Sequence, residues 1–191
     1  PEAPFIPNIS FDEVIKMAES GAKVIHPRAV KAAKAFNMPL RIKSTFDESD
    51  GTLIGSEESD LPISGITLQR DLTVAKFVGE KELTDSEINK LHKLSNDETI
   101  YTNDAGERVI VINEDKKDEA NNLAKELGTD LELCENLSKV SVVYKDSADA
   151  NKMEQKISSL LSDENISTVA EKALNSCKTV IVKGEVGEKS V

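Results

Sequence analysis

Lys23 is the residue best placed to do chemistry. It stands in Gly21-Ala22-Lys23-Val24-Ile25-His26-Pro27-Arg28, a helix stop followed by a tight polar connection and a proline that opens a new helix. Gly21 can take the left-handed conformation that ends a helix, and Pro27 suits a first helical turn because its missing N–H would be unpaired there anyway. A lysine in such a connection can reach an anion, or it is a solvated lysine after a helix cap. Arg28 either contacts an anion or holds the helix start. Arg41 and Lys43 border the same region or occupy the wet face of a strand. Further along, Asp85 either meets a ligand amine or complements the dipole of a helix first turn. Asn165 and Ser167 orient a ligand or simply cap a helix and start a strand. His26 and His92 lack the partners that catalysis requires. Cys134 and Cys177 are far apart, with no Cys-x-x-Cys motif or histidine cluster, so free buried thiols are expected and no metal site.

The elements that must position these residues are legible in order. Ser10-Phe11-Asp12-Glu13 has capping-box spacing, and Phe11, Val14, Ile15 and Ala18 then share one helical face. A second helix runs from about Pro27 to Phe36 and stops at Asn37, and Leu40 to Thr45 alternates as a strand. Ser56-Glu57-Glu58-Ser59-Asp60 is expected to be a mobile acidic linker. Beyond it, Ile63 to Arg70 and Leu72 to Val78 read as two strands broken at Asp71. Thr84-Asp85-Ser86-Glu87 is a second capping box. Glu98 to Thr102 and Arg108 to Ile112 flank Asn103-Asp104-Ala105-Gly106, a hairpin signal. A helix with Ala120, Leu123, Ala124 and Leu127 inward ends at Gly128, and Leu131 to Cys134 is a strand. Lys139 to Tyr144 begins the series again. A helix with Ala150, Met153, Ile157, Leu160 and Leu161 follows and is expected to dock firmly. Ile166 to Lys172 and Lys178 to Val182 then form a hairpin around Asn175-Ser176. The fold class is α+β, with β-α-β-β-α-β, the ferredoxin-like order, started twice.

The bulk composition narrows the function. The chain has 191 residues, 38% hydrophobic and 4% aromatic, so its core is aliphatic. Its 24 basic and 35 acidic residues give a net charge of −11, which argues against nucleic acid as a partner. No apolar run approaches the ~20 residues of a membrane span, and no signal-type segment opens the chain, so a cytoplasmic location is expected.

The opening segment, with Met38-Pro39-Leu40-Arg41-Ile42-Lys43-Ser44-Thr45-Phe46 and Gly51-Thr52-Leu53-Ile54 following at the right separations, resembles the end of the catalytic domain of the aspartokinase (aspartate kinase) family. The match is close from Ile9 to Ile54. The later part resembles the tandem ACT regulatory units of that family, most clearly at Ile63-Ser64-Gly65-Ile66, Leu137 to Val143 and Asn165-Ile166-Ser167. The resemblance implies a kinase-domain end and linker over residues 1–60 and a first ACT unit over 61–134. It implies a second unit over 135–191, cut before its last helix, with strand 63–70 lent to that second unit. The chain would then be a piece of a longer enzyme that uses ATP with Mg to phosphorylate L-aspartate. Its partners would be its own kinase domain, a second copy in an ACT-mediated homodimer, and an amino-acid effector (lysine, threonine or diaminopimelate).

The same resemblance implies that Lys23 and Arg28 face the nucleotide in the intact enzyme, with Asp85, Asn165 and Ser167 as effector contacts. No catalytic residue is expected in this piece, because the family's Lys-Phe-Gly-Gly phosphate loop and phosphoryl-transfer residues lie upstream of the matching region. The effector loops Gly79 to Asp85 and Lys145 to Asp149 both lack the Pro-Gly turn of relatives that bind lysine or threonine. An ACT scaffold that binds no small molecule is therefore the alternative.

Overall fold

Helix α1 (Phe11–Glu19) is set at both ends by local hydrogen bonds, as the capping residues predict. The Ser10 side chain accepts from the Glu13 N–H and the Glu13 carboxylate accepts from the Ser10 N–H, closing the capping box. At the other end the Gly21 and Ala22 N–H groups donate to the Ala18 and Met17 carbonyls at 3.2 and 2.9 Å, with Gly21 at φ 111°. This double bond around a left-handed residue is a Schellman stop. Helix α2 (Pro27–Ala35) opens on Pro27, with the His26 ring nitrogen accepting from the Arg28 N–H at 3.2 Å. It stops at Asn37, φ 47°, through the same pair of bonds.

The structure, a computed structural model, describes residues 4–46, 48–79, 82–145, 150–174 and 176–183. It divides into two units, Pro1–Thr67 with Ser141–Lys156 and Ala173–Lys178, and Leu68–Val140 with Ile157–Lys172 and Thr179–Val191. In the first unit a three-stranded sheet has the order β1 (Asn8–Ser10), β3 (Thr52–Gly55), β2 (Leu40–Ile42). β1 and β3 are parallel, with Ile9 opposite Ile54, and β2 is antiparallel to β3. The helices pack on this sheet through Ile9, Phe11, Val14, Ile15, Val30, Ala33 and Ile54, a core separate from those of the second unit. Gly51 enters β3 at φ 66° with its Cα so close to β2 that a Cβ would sit 2.1 Å from the Ile42 carbonyl oxygen. Only glycine fits there.

The acidic stretch before Ile63 is not the mobile linker expected. Ser59 is fully buried and donates to the Glu13 carboxylate. A linker of this composition is solvated by default, but a buried carboxylate in need of donors holds its serine in place.

The two strands expected around Asp71 are one, β4 (Ile63–Val78), and β7 (Asp130–Tyr144) likewise runs on through Asn136. Asp71 and Asn136 both stand at φ 56°. Asp and Asn visit the left-handed region as single residues, so each strand is deflected without ending. The strands order as β4-β6-β5-β8-β9-β7 and close into a barrel, with β5 (Tyr101–Thr102), β6 (Arg108–Ile112), β8 (Thr168–Leu174) and β9 (Cys177–Lys183). The long strands thus join in a single closed set, where the sequence pattern reads as two successive units.

Alternation along β6 shows how the second unit is layered. Ile110 and Ile112 pack with Ala75, Phe77, helix α3 (Asp85–Leu94) and helix α4 (Lys117–Leu127). Val109 and Val111 pack the other way, with Val74, Tyr101, Leu137, Ala170 and Ile181. Burial of each of these larger side chains is worth about 1.5–3 kcal/mol. The order from β4 to β7 is strand, α3, β5, β6, α4, strand, with a 3-10 turn (Glu114–Lys116) ahead of α4. β5 is shorter than its sequence pattern predicts, because Glu98 turns at φ 53° and the Asp97 carboxylate holds the Ser95 hydroxyl and Thr99 N–H.

Helix α5 (Ala150–Asp163) contradicts the expectation of firm docking. It has no buried residue, and Leu160 is 53% exposed. Leu161 alone of its apolar stripe packs on a buried cluster, that of Val140, Ile166, Val180 and Val182. No helix among the described residues is long and apolar enough to cross a membrane.

Candidate functional site

Lys23 lies in the connection between α1 and α2 and is exposed, as is Arg28 in the first turn of α2. The neighbours of Lys23 in sequence, Ala22 and Val24, line an apolar hollow of about 300 Å³ together with Ile25, Ile42, Thr52 and Ile54. An exposed lysine between two residues that line such a hollow suits a ligand with a flat apolar part and an anionic part. Arg41 is not available in the same way, since its Nη1 donates to the Asp50 carbonyl at 2.9 Å. His26 caps α2, and the His92 Nδ1 lies 2.6 Å from the Glu98 carbonyl.

In the second unit Asp85 is the exposed first residue of α3, where Thr84 and Glu87 close a capping box. A carboxylate there complements the helix dipole. Asn165 is exposed and left-handed at φ 55°. Its N–H donates to Ser162 at 3.0 Å while the Ile166 N–H reaches Leu161 at 2.8 Å. That is a helix stop like those at Gly21 and Asn37, and Ser167 is the exposed residue just before β8. Asp85 therefore sits at the start of α3 and Asn165 at the stop of α5, each with a local role, while Ser167 is exposed just before β8.

A pocket lies at the end of β4, lined in part by the effector loop Gly79 to Asp85. Phe77, Gly79, Glu82, Leu83, Gly106, Arg108 and Thr129 surround about 240 Å³. Three separate parts of the chain supply it: the end of β4 and the segment after it, the β5–β6 hairpin with the start of β6, and Thr129 in the turn after α4. The Asn103 side chain accepts from the Ala105 and Glu107 N–H groups, and Gly106 stands at φ 75°, which shapes the hairpin lip. Arg108 Nη1 donates to the Gly106 carbonyl at 2.6 Å, which holds the guanidinium at that lip. One guanidinium and one carboxylate around a small hollow can take the two ends of a zwitterion. Arg108 is the residue that sequence spacing missed: it stands beyond α3 from the effector loop that supplies Glu82, and nothing in the local chain pairs the two. The other effector loop, residues 145–149, falls outside the described residues from 146 on, as do residues 80–81, Asn175 and the tail 184–191.

Asp97, after α3, is half-buried and receives Lys139 Nζ at 2.7 Å and the Tyr101 hydroxyl at 2.7 Å. Burial by itself raises the Asp97 carboxyl, but the Lys139 charge and the donors Lys139, Tyr101 and Ser95 outweigh it and hold it below the usual carboxylate range. Burial, then the Glu132 carboxylate, push the Cys134 thiol up, away from nucleophile chemistry. Both cysteines are half-buried, with Ser20 Oγ 3.8 Å from Cys177 Sγ. Among the described residues no three metal-ligating side chains gather.

The amino acid kinase family matches residues 1–44. The aspartokinase of Bacillus sp. (strain MGA3) is 32% identical over 130 residues, which is 64% of this chain and 29% of that protein. The structure of Clostridium acetobutylicum aspartate kinase superposes with a TM-score of 0.80 at 26% identity, covering 99% of this chain and 48% of that one. The regulatory subunit of aspartate kinase from Thermus flavus shares the fold over 68% of this chain and 94% of its own, with a TM-score of 0.56 at 15% identity. The chain spans less than half the length of these full-length aspartokinases. Sequence and fold together support an aspartokinase fragment: along its length the chain is similar to part of those enzymes.

Proposed function

We propose that this chain is the regulatory portion of an aspartate kinase, with the end of the kinase domain attached. The observation that carries the reading is the likeness to Clostridium acetobutylicum aspartate kinase, described as an allosteric enzyme, over 99% of the chain. The whole enzyme would transfer the γ-phosphoryl group of ATP to the side-chain carboxylate of L-aspartate in the cytoplasm. Lys23 and Arg28 suit phosphate oxygens as exposed cations, Lys23 between two residues that line the apolar hollow, and they would bind and orient the nucleotide. Mg would accompany the ATP in the whole enzyme, held by residues other than the described ones, among which no three metal-ligating side chains gather.

Residues 61–134 and 135–191 are read as two ACT units that sense an amino acid and pair two copies of the chain, with 63–70 lent by the first to the second. The Arg108–Glu82 pocket supports the sensing part, because it offers opposite charges to the carboxylate and amine of an amino acid. Asp85, Asn165 and Ser167 remain candidate effector contacts. The second reading is an ACT dimerisation scaffold without a ligand, favoured by the absence of a Pro-Gly turn in 79–85.

Calorimetric titration of the chain with lysine, threonine and diaminopimelate separates the two. Sensing predicts heat with one of them and its loss in Arg108→Ala. No heat with any of the three leaves the scaffold. Aspartate-dependent ADP release by the chain alone would refute the assignment of catalysis to residues outside it.

A further inference from the structure

Glu13 does more than close a capping box. Its carboxylate is 5% exposed and accepts from five neutral donors: the Ser10 N–H at 2.8 Å, Ser10 Oγ at 2.7 Å, Ser59 N–H at 3.1 Å, Ser59 Oγ at 2.8 Å, and Ser64 Oγ. A cap needs only the Ser10 groups. The other three donors come from the segment that enters β4, 46 and 51 positions away, and Ser59 and Ser64 are themselves buried. Burial alone raises the Glu13 carboxyl, yet the donors of Ser64, Ser10 and Ser59 together hold it below the usual range. The charge is kept, and it is kept by serines that must stay in place.

The same segment follows α1 to its far end. The Met17 side chain fills the space at Gly65, where a Cβ would lie 2.6 Å from its methyl carbon. Thr67 Oγ1 donates to the Ser20 carbonyl at 2.9 Å, in the residue that caps the helix. Lys16 Nζ reaches the Ser176 hydroxyl. Immediately beyond Ser20 come the Gly21 and Ala22 amides of the helix stop, and then Lys23.

We propose that residues 59–67 and α1 move as one piece locked by Glu13, so that displacement of the entry to β4 is carried along α1 to the Lys23 connection. Glu13 is in this sense a positioning residue for Lys23. The coupling stands on the geometry of the first unit alone; that Lys23 meets a phosphate rests on the function proposed above. A nine-residue helix is short enough to shift as a rigid rod when both flanks are released.

Hydrogen exchange on the 191-residue chain tests the coupling with Glu13→Gln and with the pair Ser59→Ala/Ser64→Ala, which leaves the Ser10 cap intact. Both variants are expected to speed exchange about tenfold at residues 59–67 and equally at Gly21 to Lys23, with β6 unchanged. Faster exchange at 59–67 with the Gly21 and Ala22 amides still protected overturns the coupling. Wild-type protection of both segments in the serine pair overturns the lock. If Glu13→Gln unfolds α2 and β3 as well, the serine pair decides. Titration with ATP while following the Lys23 amide resonance reports on the phosphate reading separately: no shift removes that reading and leaves the exchange result standing.

Discussion

Lys139 Nζ lies 2.7 Å from Asp97 Oδ2, and the lysine side chain is only 3% exposed. The two residues are 42 positions apart, one on β7 just past the left-handed Asn136 and the other in the turn after α3. A buried ammonium is tolerated only because this carboxylate meets it, and the carboxylate in turn is shared with Ser95, Thr99 and Tyr101.

Removing one partner strands the other. Lys139→Met or Asp97→Asn is expected to cost about 3 kcal/mol, and the double variant less than the sum, because no unpaired charge is left inside. Urea unfolding of the four members of the cycle measures this. Additive losses would show that the pair is not coupled.

Acid is expected to destabilise the chain through Glu13 and Asp97. Both carboxyls are held below their ordinary range in the folded chain, so the unfolded chain takes up protons first. Their contribution is complete above the unfolded value of about 4 and is lost as pH falls through the lower folded value. Urea midpoints measured from pH 7 to pH 3 should fall below about pH 4, and more gently in Asp97→Asn.

Two glycines with similar φ should respond differently to alanine. Gly51→Ala places a Cβ 2.1 Å from the Ile42 carbonyl oxygen, whereas a Cβ at Gly106 meets open space. The first substitution is expected to cost more than about 3 kcal/mol through separation of β2 from β3. The second carries only the left-handed penalty of about 1 kcal/mol. Thermal melts of the two variants check the order.

Helix α5 and helix α3 offer a comparable contrast. Leu160→Ala on α5, 53% exposed, should cost under about 1 kcal/mol, while Leu91→Ala on α3, fully buried, should cost about 2–5 kcal/mol. Equal losses in chemical denaturation would mean that α5 is covered in solution.

The sequence by itself determined where helices begin and end. Ser10 with Glu13, Thr84 with Glu87, Pro27, and the stops at Gly21, Asn37 and Gly128 all act through hydrogen bonds a few residues long, so their chemistry is complete in the local chain. The Asn103–Gly106 hairpin and the connection that exposes Lys23 were legible for the same reason.

Only the tertiary structure decided how distant residues complete one another. Ser59 is buried because the Glu13 carboxylate 46 positions earlier needs its donors, although the stretch around it is acidic. Arg108 and Glu82 share a pocket because a hairpin and the end of β4 arrive at the same place. The apolar spacing of α5 specified a face, but how much of it is covered depends on what the sheet places opposite, and there it meets only the rim of a cluster. Periodicity fixes which side chains point together; desolvation and pairing across long loops fix what they meet.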